Sequence, residues 1–363
     1  MKETIKAAIL LGLVAFQGGV PCLGVEYPMV SMKVRAIDEH EKPIMGVSVS
    51  ASDHTLTQKA EGRRDTGITD HDGFCHLKFR ALAGASVYAK KENSHYPSVV
   101  SSRTLGKDSP FRFQPFIYRN DIPQSDQIDP PLKKEISLEG SVTLREIRKP
   151  IPLYAQKLRI DFPARDVWLG YDLASGDWIA PYGKGKSGDI MFRSAPKAEI
   201  AGMALEETPG IAILEVAFGE GGGLVRINDE NGFLIVSRMT MPHEAPIAGY
   251  EEIPTLKIEQ QGYEYQEPTR TRAYFFRTRV VREGERIIRA NFGKIPMNIK
   301  YHPVQKPEAW FGDKKANRPS FGGVEFTYYF NPTPNDRNLE FDPKKNLFKV
   351  EDEQWIEYTV EDP

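Results

Sequence analysis

The chain has 363 residues, of which 40% are apolar, and its 48 Lys and Arg nearly balance its 50 Asp and Glu, for a formal charge of −2. That length is sufficient for two domains that each bury a core of their own. The near-neutral charge, without a basic stripe between aromatic residues, argues against general binding to nucleic acid or to an anionic membrane.

The first residues have the pattern of an export signal. Lys2 and Lys6 precede a ten-residue apolar run at 7–16, and a polar stretch then ends at Gly24. A bilayer span needs about 20 apolar residues, so this run is too short to cross a membrane. We therefore predict a signal peptide over residues 1–24, no transmembrane span, and export to the periplasm, the outer envelope or the extracellular space. The alternatives are a buried N-terminal helix and a lipid anchor on Cys22.

Residues 30–89 show the two-residue period of strands with one buried face. Charged or glycine-containing turn signals at 38–43 and 69–73 separate the alternating segments. The alternating apolar positions are Val34 and Ala36, then Val47, Val49 and Ala51, then Cys75, Leu77 and Phe79, and finally Val87 and Ala89. The phase of Cys75 predicts a buried, chemically inert thiol.

This pattern resembles the carboxypeptidase regulatory-like domain. The resemblance rests on the strand that ends in Asp38, on Lys42-Pro43-Ile44 with the strand after it, on the turn at 69–73 and on the strand at 85–89. It implies a transthyretin-like β-sandwich that accompanies other domains and does no chemistry. We place this domain at 28–140, with residues 101–134 as a proline-rich excursion and residues 135–138 in its last strand.

Residues 150–363 are predicted to form a larger antiparallel β-sandwich or jelly roll, which makes the whole chain all-β. Leu158, Ile160 and Phe162 alternate, and hairpins are expected at 224–236 and 274–290. Further strands are expected at 212–218 and 324–330. Residues 170–185 and 326–338 resemble a domain of uncharacterised exported bacterial proteins, which implies a shared fold and no activity.

This second domain contains a cluster of aromatic and acidic residues suited to glycan binding. Aromatic rings offer flat apolar faces to sugars, and carboxylates accept hydrogen bonds from hydroxyl groups. We predict a ligand site here; the alternative is that these side chains pack in the core and across strands. The predicted ligand-binding residues are Trp168, Tyr171, Asp172, Asp177, Trp178 and Tyr182, with Lys184 nearby.

A second cluster places oxygen donors at every second position. Asp336, Asn338, Glu340 and Asp342 would share one face of an extended segment. Calcium binds oxygen ligands, so these four residues are a candidate for part of a Ca²⁺ site, and no other cofactor is expected. The alternative is a solvated strand with turn-forming Asn and Asp residues.

The sequence carries no motif of the common hydrolases. None of the seven histidines lies in an H-E-x-x-H frame or has a Glu three residues later, and there is no G-x-S-x-G. A carbohydrate-active hydrolase stays open as the alternative function, and Asp172, Asp177 and Glu215 are its candidate acids. Such an enzyme needs two carboxylates about 5–10 Å apart in a cleft.

The favoured function is therefore non-catalytic. We expect an exported binding or structural protein of the cell envelope or extracellular space. Its expected partner is a glycan or an envelope protein, bound by sheet edges and loop tips.

Overall fold

The computed structural model describes residues 28–53, 62–81, 84–101, 135–196, 211–227, 237–251, 256–261, 273–302, 322–348, 360 and 362–363. These residues form 18 β-strands and one 3₁₀ turn (Pro343–Lys345), and they include no α-helix. The prediction of an all-β sandwich fold is confirmed. The predicted signal peptide, most of the excursion, and the turn and second strand of the 224–236 hairpin lie outside the described residues. Nowhere in the described part of the chain is a helix long and apolar enough to cross a membrane.

The first seven strands build a small sandwich, the first sandwich. They are β1 (Met29–Ile37), β2 (Ser48–Asp53), β3 (Arg64–Ile68), β4 (Phe74–Arg80), β5 (Ala85–Lys90), β6 (Ser98–Ser101) and β7 (Glu135–Thr143). One sheet has the order β4-β1-β7 and the other has the order β3-β2-β5-β6. The predicted alternating residues meet between the sheets as one buried core. Cys75 lies in this core, and burial raises the pKa of its thiol.

Two of these strands differ from the sequence-based expectation. β3 was not predicted, because none of its residues is buried and it therefore shows no apolar alternation. The last strand extends five residues beyond the predicted 138 to Thr143. It pairs in parallel with β1, from Met29 opposite Glu135 to Ile37 opposite Thr143.

The remaining strands build the larger second sandwich. They are β8 (Tyr154–Asp161), β9 (Leu169–Asp172), β10 (Asp177–Trp178), β11 (Ile190–Pro196), β12 (Ile211–Phe218), β13 (Gly223–Ile227), β14 (Leu256–Gln261), β15 (Ala273–Glu283), β16 (Arg286–Ile295), β17 (Lys300–His302) and β18 (Gly323–Asn331). A five-stranded sheet has the order β10-β9-β11-β12-β14. The six-stranded sheet runs β13-β15-β16-β18-β17, and β8 pairs with β18.

The two sheets of the second sandwich enclose an aromatic core. Phe192 from the five-stranded sheet packs against Phe326 from the six-stranded sheet, and Phe162 contacts Tyr301. The predicted hairpin at 274–290 is confirmed as the antiparallel pair β15–β16. The opposite face of the six-stranded sheet carries two smaller cores, which include Phe275 and Tyr329.

A buried carboxylate connects the two sandwiches. Glu340 accepts hydrogen bonds from the Tyr96 hydroxyl (2.8 Å) and from the backbone N–H groups of Arg148 (2.9 Å) and Lys149 (2.5 Å). Nearby, the His243 ring bonds the carbonyl of Glu146 at 2.7 Å, and Glu39 pairs with Arg148. Polar contacts among these described residues thus connect the two sandwiches.

Lys294 of β16 lies behind this interface with its ammonium nitrogen buried. The residue is 1% exposed, and Nζ has no hydrogen-bond partner among the described residues. It lies 4.5 Å from the centroid of the Tyr329 ring. Burial, together with the charge of Arg145, lowers the pKa of Lys294 to about 7. The folded protein therefore opposes the charged form of this amine.

This burial predicts a pH-dependent stability. Between about pH 7, the folded pKa, and about pH 10.4, the usual Lys value, the unfolded chain binds a proton that the folded chain lacks. The free energy of unfolding should consequently rise with pH across that range. In Lys294→Met the free energy of unfolding should rise less with pH. At pH 6 it should be about 2 kcal/mol higher than that of wild type, measured by urea unfolding. Lys157→Met, at an exposed position of β8, is the matched control; an unchanged pH profile in Lys294→Met would contradict the expectation.

Candidate functional site

Strand alternation divides the predicted aromatic and acidic cluster between two faces of the five-stranded sheet. Leu169 and Tyr171 of β9 are buried in the core of the second sandwich, so Trp168, Gly170 and Asp172 point to the other side. In the β9–β10 pair Asp177 lies opposite Asp172 and Trp178 opposite Tyr171. The cluster is therefore not one surface but a core pair and an outer group.

Tyr171 and Trp178 belong to the core. Their exposed fractions are 2% and 9%, and their rings meet edge to face at 5.2 Å. Trp178 also contacts Phe162 and Phe192. Neither ring offers a free face to a ligand, so for these two residues the geometry favours the packing interpretation.

Asp172 anchors a loop on the outer side of the sheet. One carboxylate oxygen accepts the N–H groups of Ala174 (3.0 Å) and Ser175 (3.3 Å), and the other accepts those of Lys186 (2.8 Å) and Ser187 (3.2 Å). Burial alone raises the pKa of Asp172, but these four backbone donors outweigh it, and the pKa lies below its usual value.

Asp177 holds the same loop through a second carboxylate. It accepts the N–H of Lys184 at 2.8 Å, and Gly183 and Gly185 allow the main chain to approach it. A Cβ atom at Gly183 would lie 2.4 Å from Oδ1 of Asp177, and one at Gly185 would lie 2.7 Å from the Asp177 carbonyl oxygen. Only glycine fits at these two positions, so the loop lies directly on the β9–β10 hairpin.

An arginine connects this hairpin to the facing sheet. Arg279 of β15 donates to both carboxylate oxygens of Asp189 at 2.8 Å and to Asp172 at 3.0 Å. The pairing of β15 with β16 is irregular at this point, and Arg279 has a φ of 50°. This local bulge directs the guanidinium toward the carboxylates. Burial raises the pKa of Asp189, and Arg279 limits the rise.

The exposed aromatic residues of the cluster are Trp168 and Tyr182, at 39% and 44% exposure. Trp168 lies next to Arg193 of β11, whose guanidinium carbon is 4.9 Å from the indole centroid. Arg193 in turn pairs with Glu215, its neighbour across β11 and β12. We call this surface the aromatic–basic face; it comprises Trp168, Arg193 and Glu215 on the sheet and Tyr182, Lys184 and Lys186 on the loop.

Tyr182 begins the loop that returns over the hairpin, and its neighbour Gly183 lies against Asp177. After Trp178, the N–H of Ile179 bonds the carbonyl of Gly170 at 2.9 Å, so the chain runs back along β9 toward Trp168. Tyr182 follows a turn closed by its N–H to the Ile179 carbonyl. The loop that it opens covers Asp172 and Asp177, which point to the same side as Trp168. The loop that bears Tyr182 therefore lies on the side of the sheet to which Trp168 points.

Arg193 was not among the predicted site residues. Its place beside Trp168 depends on the pairing of β9 with β11, in which Phe192 lies opposite Leu169. The two residues are far apart in the sequence, and no local pattern predicts this register.

The three candidate acids of a hydrolase do not form a free pair. Asp172 and Asp177 are cross-strand neighbours, but their oxygens accept backbone N–H groups of the loop. Glu215 is bound by Arg193. All three carboxylates are thus engaged in contacts that hold the structure.

The four candidate calcium ligands also have separate partners. Asp336 accepts the N–H of Asn338, Asn338 accepts that of Glu340, and Asp342 caps the 3₁₀ turn by accepting the N–H of Lys344. Glu340 points into the contact between the sandwiches. Within the described ranges no group of three or more His, Cys, Asp or Glu residues is arranged to hold a metal ion. The geometry favours the turn-forming interpretation, and the Ca²⁺ site stays a prediction.

Comparison with known proteins adds little. No protein-family model matches the chain, and no curated protein matches it closely. A 3-chlorocatechol 1,2-dioxygenase from Rhodococcus opacus is similar over 33% of this chain and 61% of its own, at 11% identity and a TM-score of 0.22. A hydroxyquinol 1,2-dioxygenase from Pseudomonas putida is similar over 33% of this chain and 57% of its own, at 12% identity and a TM-score of 0.22.

A candidate carbohydrate-binding protein from Bacteroides uniformis is similar over 83% of this chain and 98% of its own, at 10% identity and a TM-score of 0.17. The chain spans about three fifths of the dioxygenase lengths. TM-scores and identities this low support no statement about family or activity. The resemblance to the carboxypeptidase regulatory-like domain therefore stays a prediction.

The role of Asp172 as an anchor is open to a direct test. Asp172→Asn removes a carboxylate that accepts five hydrogen bonds from backbone and Arg279, and should lower the free energy of unfolding by about 2–3 kcal/mol. Because the folded pKa lies below the unfolded one, wild-type stability should fall as pH drops below about 4, and the variant should lose that part of the slope. Asp166→Asn, at an exposed carboxylate before β9, serves as control. Equal stability of wild type and Asp172→Asn in urea would contradict the assignment.

Proposed function

We propose that the chain is an exported, non-catalytic binding protein and that it binds glycans through the aromatic–basic face. The observation that carries the proposal is the exposure of two aromatic residues, Trp168 directly before β9 and Tyr182 on the loop that Asp172 and Asp177 anchor. Exposed large aromatics cost hydration free energy, and two of them on one face are typical of a contact surface.

The polar residues on this face have the chemistry that sugars require. Arg193 holds donors beside the indole of Trp168, and Glu215 supplies carboxylate oxygens next to it. A sugar ring that stacks on Trp168 would find hydrogen-bond partners for its hydroxyl groups at its rim. The aromatic ring supplies apolar area, and the ion pair supplies orientation.

The anchored loop supports binding rather than catalysis. The carboxylate oxygens of Asp172 and Asp177 accept hydrogen bonds from backbone N–H groups of the loop. These carboxylates therefore stabilise the conformation of the loop and are not placed for proton transfer. A preformed surface binds with less loss of conformational entropy. The hydrolase alternative would need carboxylates that are free of such contacts.

Export and the accessory role of the first sandwich are part of the same proposal. They are supported by the signal-like pattern at 1–24 and by the resemblance of residues 28–140 to the carboxypeptidase regulatory-like domain. A polysaccharide or an envelope glycan is then the ligand that the protein meets at its destination.

A glycan array and a hydrolase substrate panel test this proposal together, with a chain that begins at residue 25. Trp168→Ala and Tyr182→Ala should each weaken glycan binding roughly 30-fold, since truncation of a contact aromatic costs about 2 kcal/mol. Their melting temperatures should stay close to wild type, because both rings are substantially exposed. No glycan should be turned over.

Tyr88→Ala is the matched control, because Tyr88 of the first sandwich is 42% exposed, close to the 44% of Tyr182. Glycan binding that survives both substitutions would refute the role of this face. Hydrolysis that disappears in Asp172→Asn or Glu215→Gln would instead establish an enzyme.

A further inference from the structure

We propose that the aromatic–basic face prefers acidic saccharides, which bear carboxylate or sulfate groups, and that Lys184 and Lys186 supply this specificity. The inference rests on the proposed glycan binding and names the class of glycan. It comes from the structure of the loop at 182–187. The side chains of Lys184 and Lys186 in this loop make no ion pair with the described residues.

The loop is built so that its lysines point away from the protein. Gly183 and Gly185 alternate with Lys184 and Lys186, and a Cβ atom at either glycine would collide with the hairpin beneath. The main chain of the loop therefore approaches the hairpin closely at the two glycines. Both lysines are exposed.

The nearest carboxylates do not neutralise these lysines. Asp177 and Asp172 bind the backbone N–H groups of Lys184 and Lys186 rather than their side chains, and Asp172 also binds Arg279. Neither lysine makes an ion pair with any residue in the described part of the chain. Two cationic groups are thus held two residues apart and are available to an anion.

Arg193 is the contrasting case on the same face. Its guanidinium stacks on Trp168 and pairs with Glu215, so its charge is already balanced. A neutral sugar over Trp168 is compatible with that ion pair. The unbalanced charge lies instead at the lysines, toward the Asp172 end of β9.

The spacing fits neighbouring units of one saccharide chain. Trp168, directly before β9, and Asp172, at the end of β9, are four residues apart, which corresponds to roughly 13 Å of extended chain. Tyr182 precedes the two lysines in the same loop. A chain of sugars stacked at the aromatic end would place its acidic substituents near the lysine end.

An anionic lipid surface is the competing class of ligand, and the observations favour the saccharide. The chain has a net charge of −2, and two lysines alone give a weak attraction to a membrane surface. The lysines accompany two exposed rings on a sheet face, without an amphipathic helix in the described residues.

The test compares saccharides that share a backbone and differ in charge. Polygalacturonic acid is measured against its methyl-esterified form, and dextran sulfate against dextran, by titration calorimetry at low and at physiological salt. Wild type should bind an acidic form at least about tenfold more tightly than its neutral partner, and salt should reduce the difference. The pair that shows the difference identifies carboxylate or sulfate as the recognised group.

The double variant Lys184→Gln/Lys186→Gln should bind the acidic form no better than the neutral form. Lys42→Gln/Lys78→Gln removes the same charge from exposed positions of the first sandwich and should bind like wild type. Equal affinity for both forms in wild type would overturn the acidic preference. A second result would also overturn the acidic-saccharide preference. In that result wild type binds phosphatidylglycerol vesicles but none of the saccharides, and the double variant no longer binds the vesicles, which would assign the lysines to lipid binding.

The two proposals fail in different ways. If wild type binds neutral and acidic saccharides equally and Trp168→Ala abolishes both, glycan binding stands and only the specificity is wrong. If Trp168→Ala and Tyr182→Ala leave all saccharide binding intact, the proposed binding face itself is wrong.

Discussion

The candidate site depends on the buried carboxylate of Asp172. It joins three parts of the chain: its own hairpin, the loop at 182–187 and, through Arg279, the facing six-stranded sheet. Asp189 completes the contact by receiving two bonds from the same guanidinium. Since charged partners make stronger hydrogen bonds than neutral ones, a single acid fixes both the shape of the outer face and its relation to the core.

Much of the fold could be predicted from the sequence, because alternation is a local signal. The strands around Val34, Val49 and Leu77 each have one buried face, and their residues meet in one core. β3 escaped prediction because it buries neither face. The parallel pairing of β7 with β1 was out of reach for another reason, since pairing partners are chosen by the whole fold and not by neighbours in the sequence.

The site was predicted in composition but not in arrangement. Trp168, directly before β9, and Tyr171 are three residues apart and therefore point to opposite faces of the sheet, yet the sequence does not say which face is inward. The position of Tyr171 and Trp178 in the core, where Trp178 contacts Phe192, decides this. The partners of Trp168 on its own face, Arg193 and Glu215, come from β11 and β12, whose order in the sheet is a property of the fold.

The parallel pairing of β1 with β7 also determines when the first sandwich is complete. Lys33 and Glu139 form an ion pair of 2.9 Å and are 106 residues apart in the sequence. One edge of β1 therefore stays unpaired until β7 has been synthesised. Contacts of such long range slow folding, and an open edge invites pairing with other chains. A fragment cut after β6 would leave this edge of β1 permanently unpaired, so the smallest unit with the complete three-stranded sheet reaches Thr143.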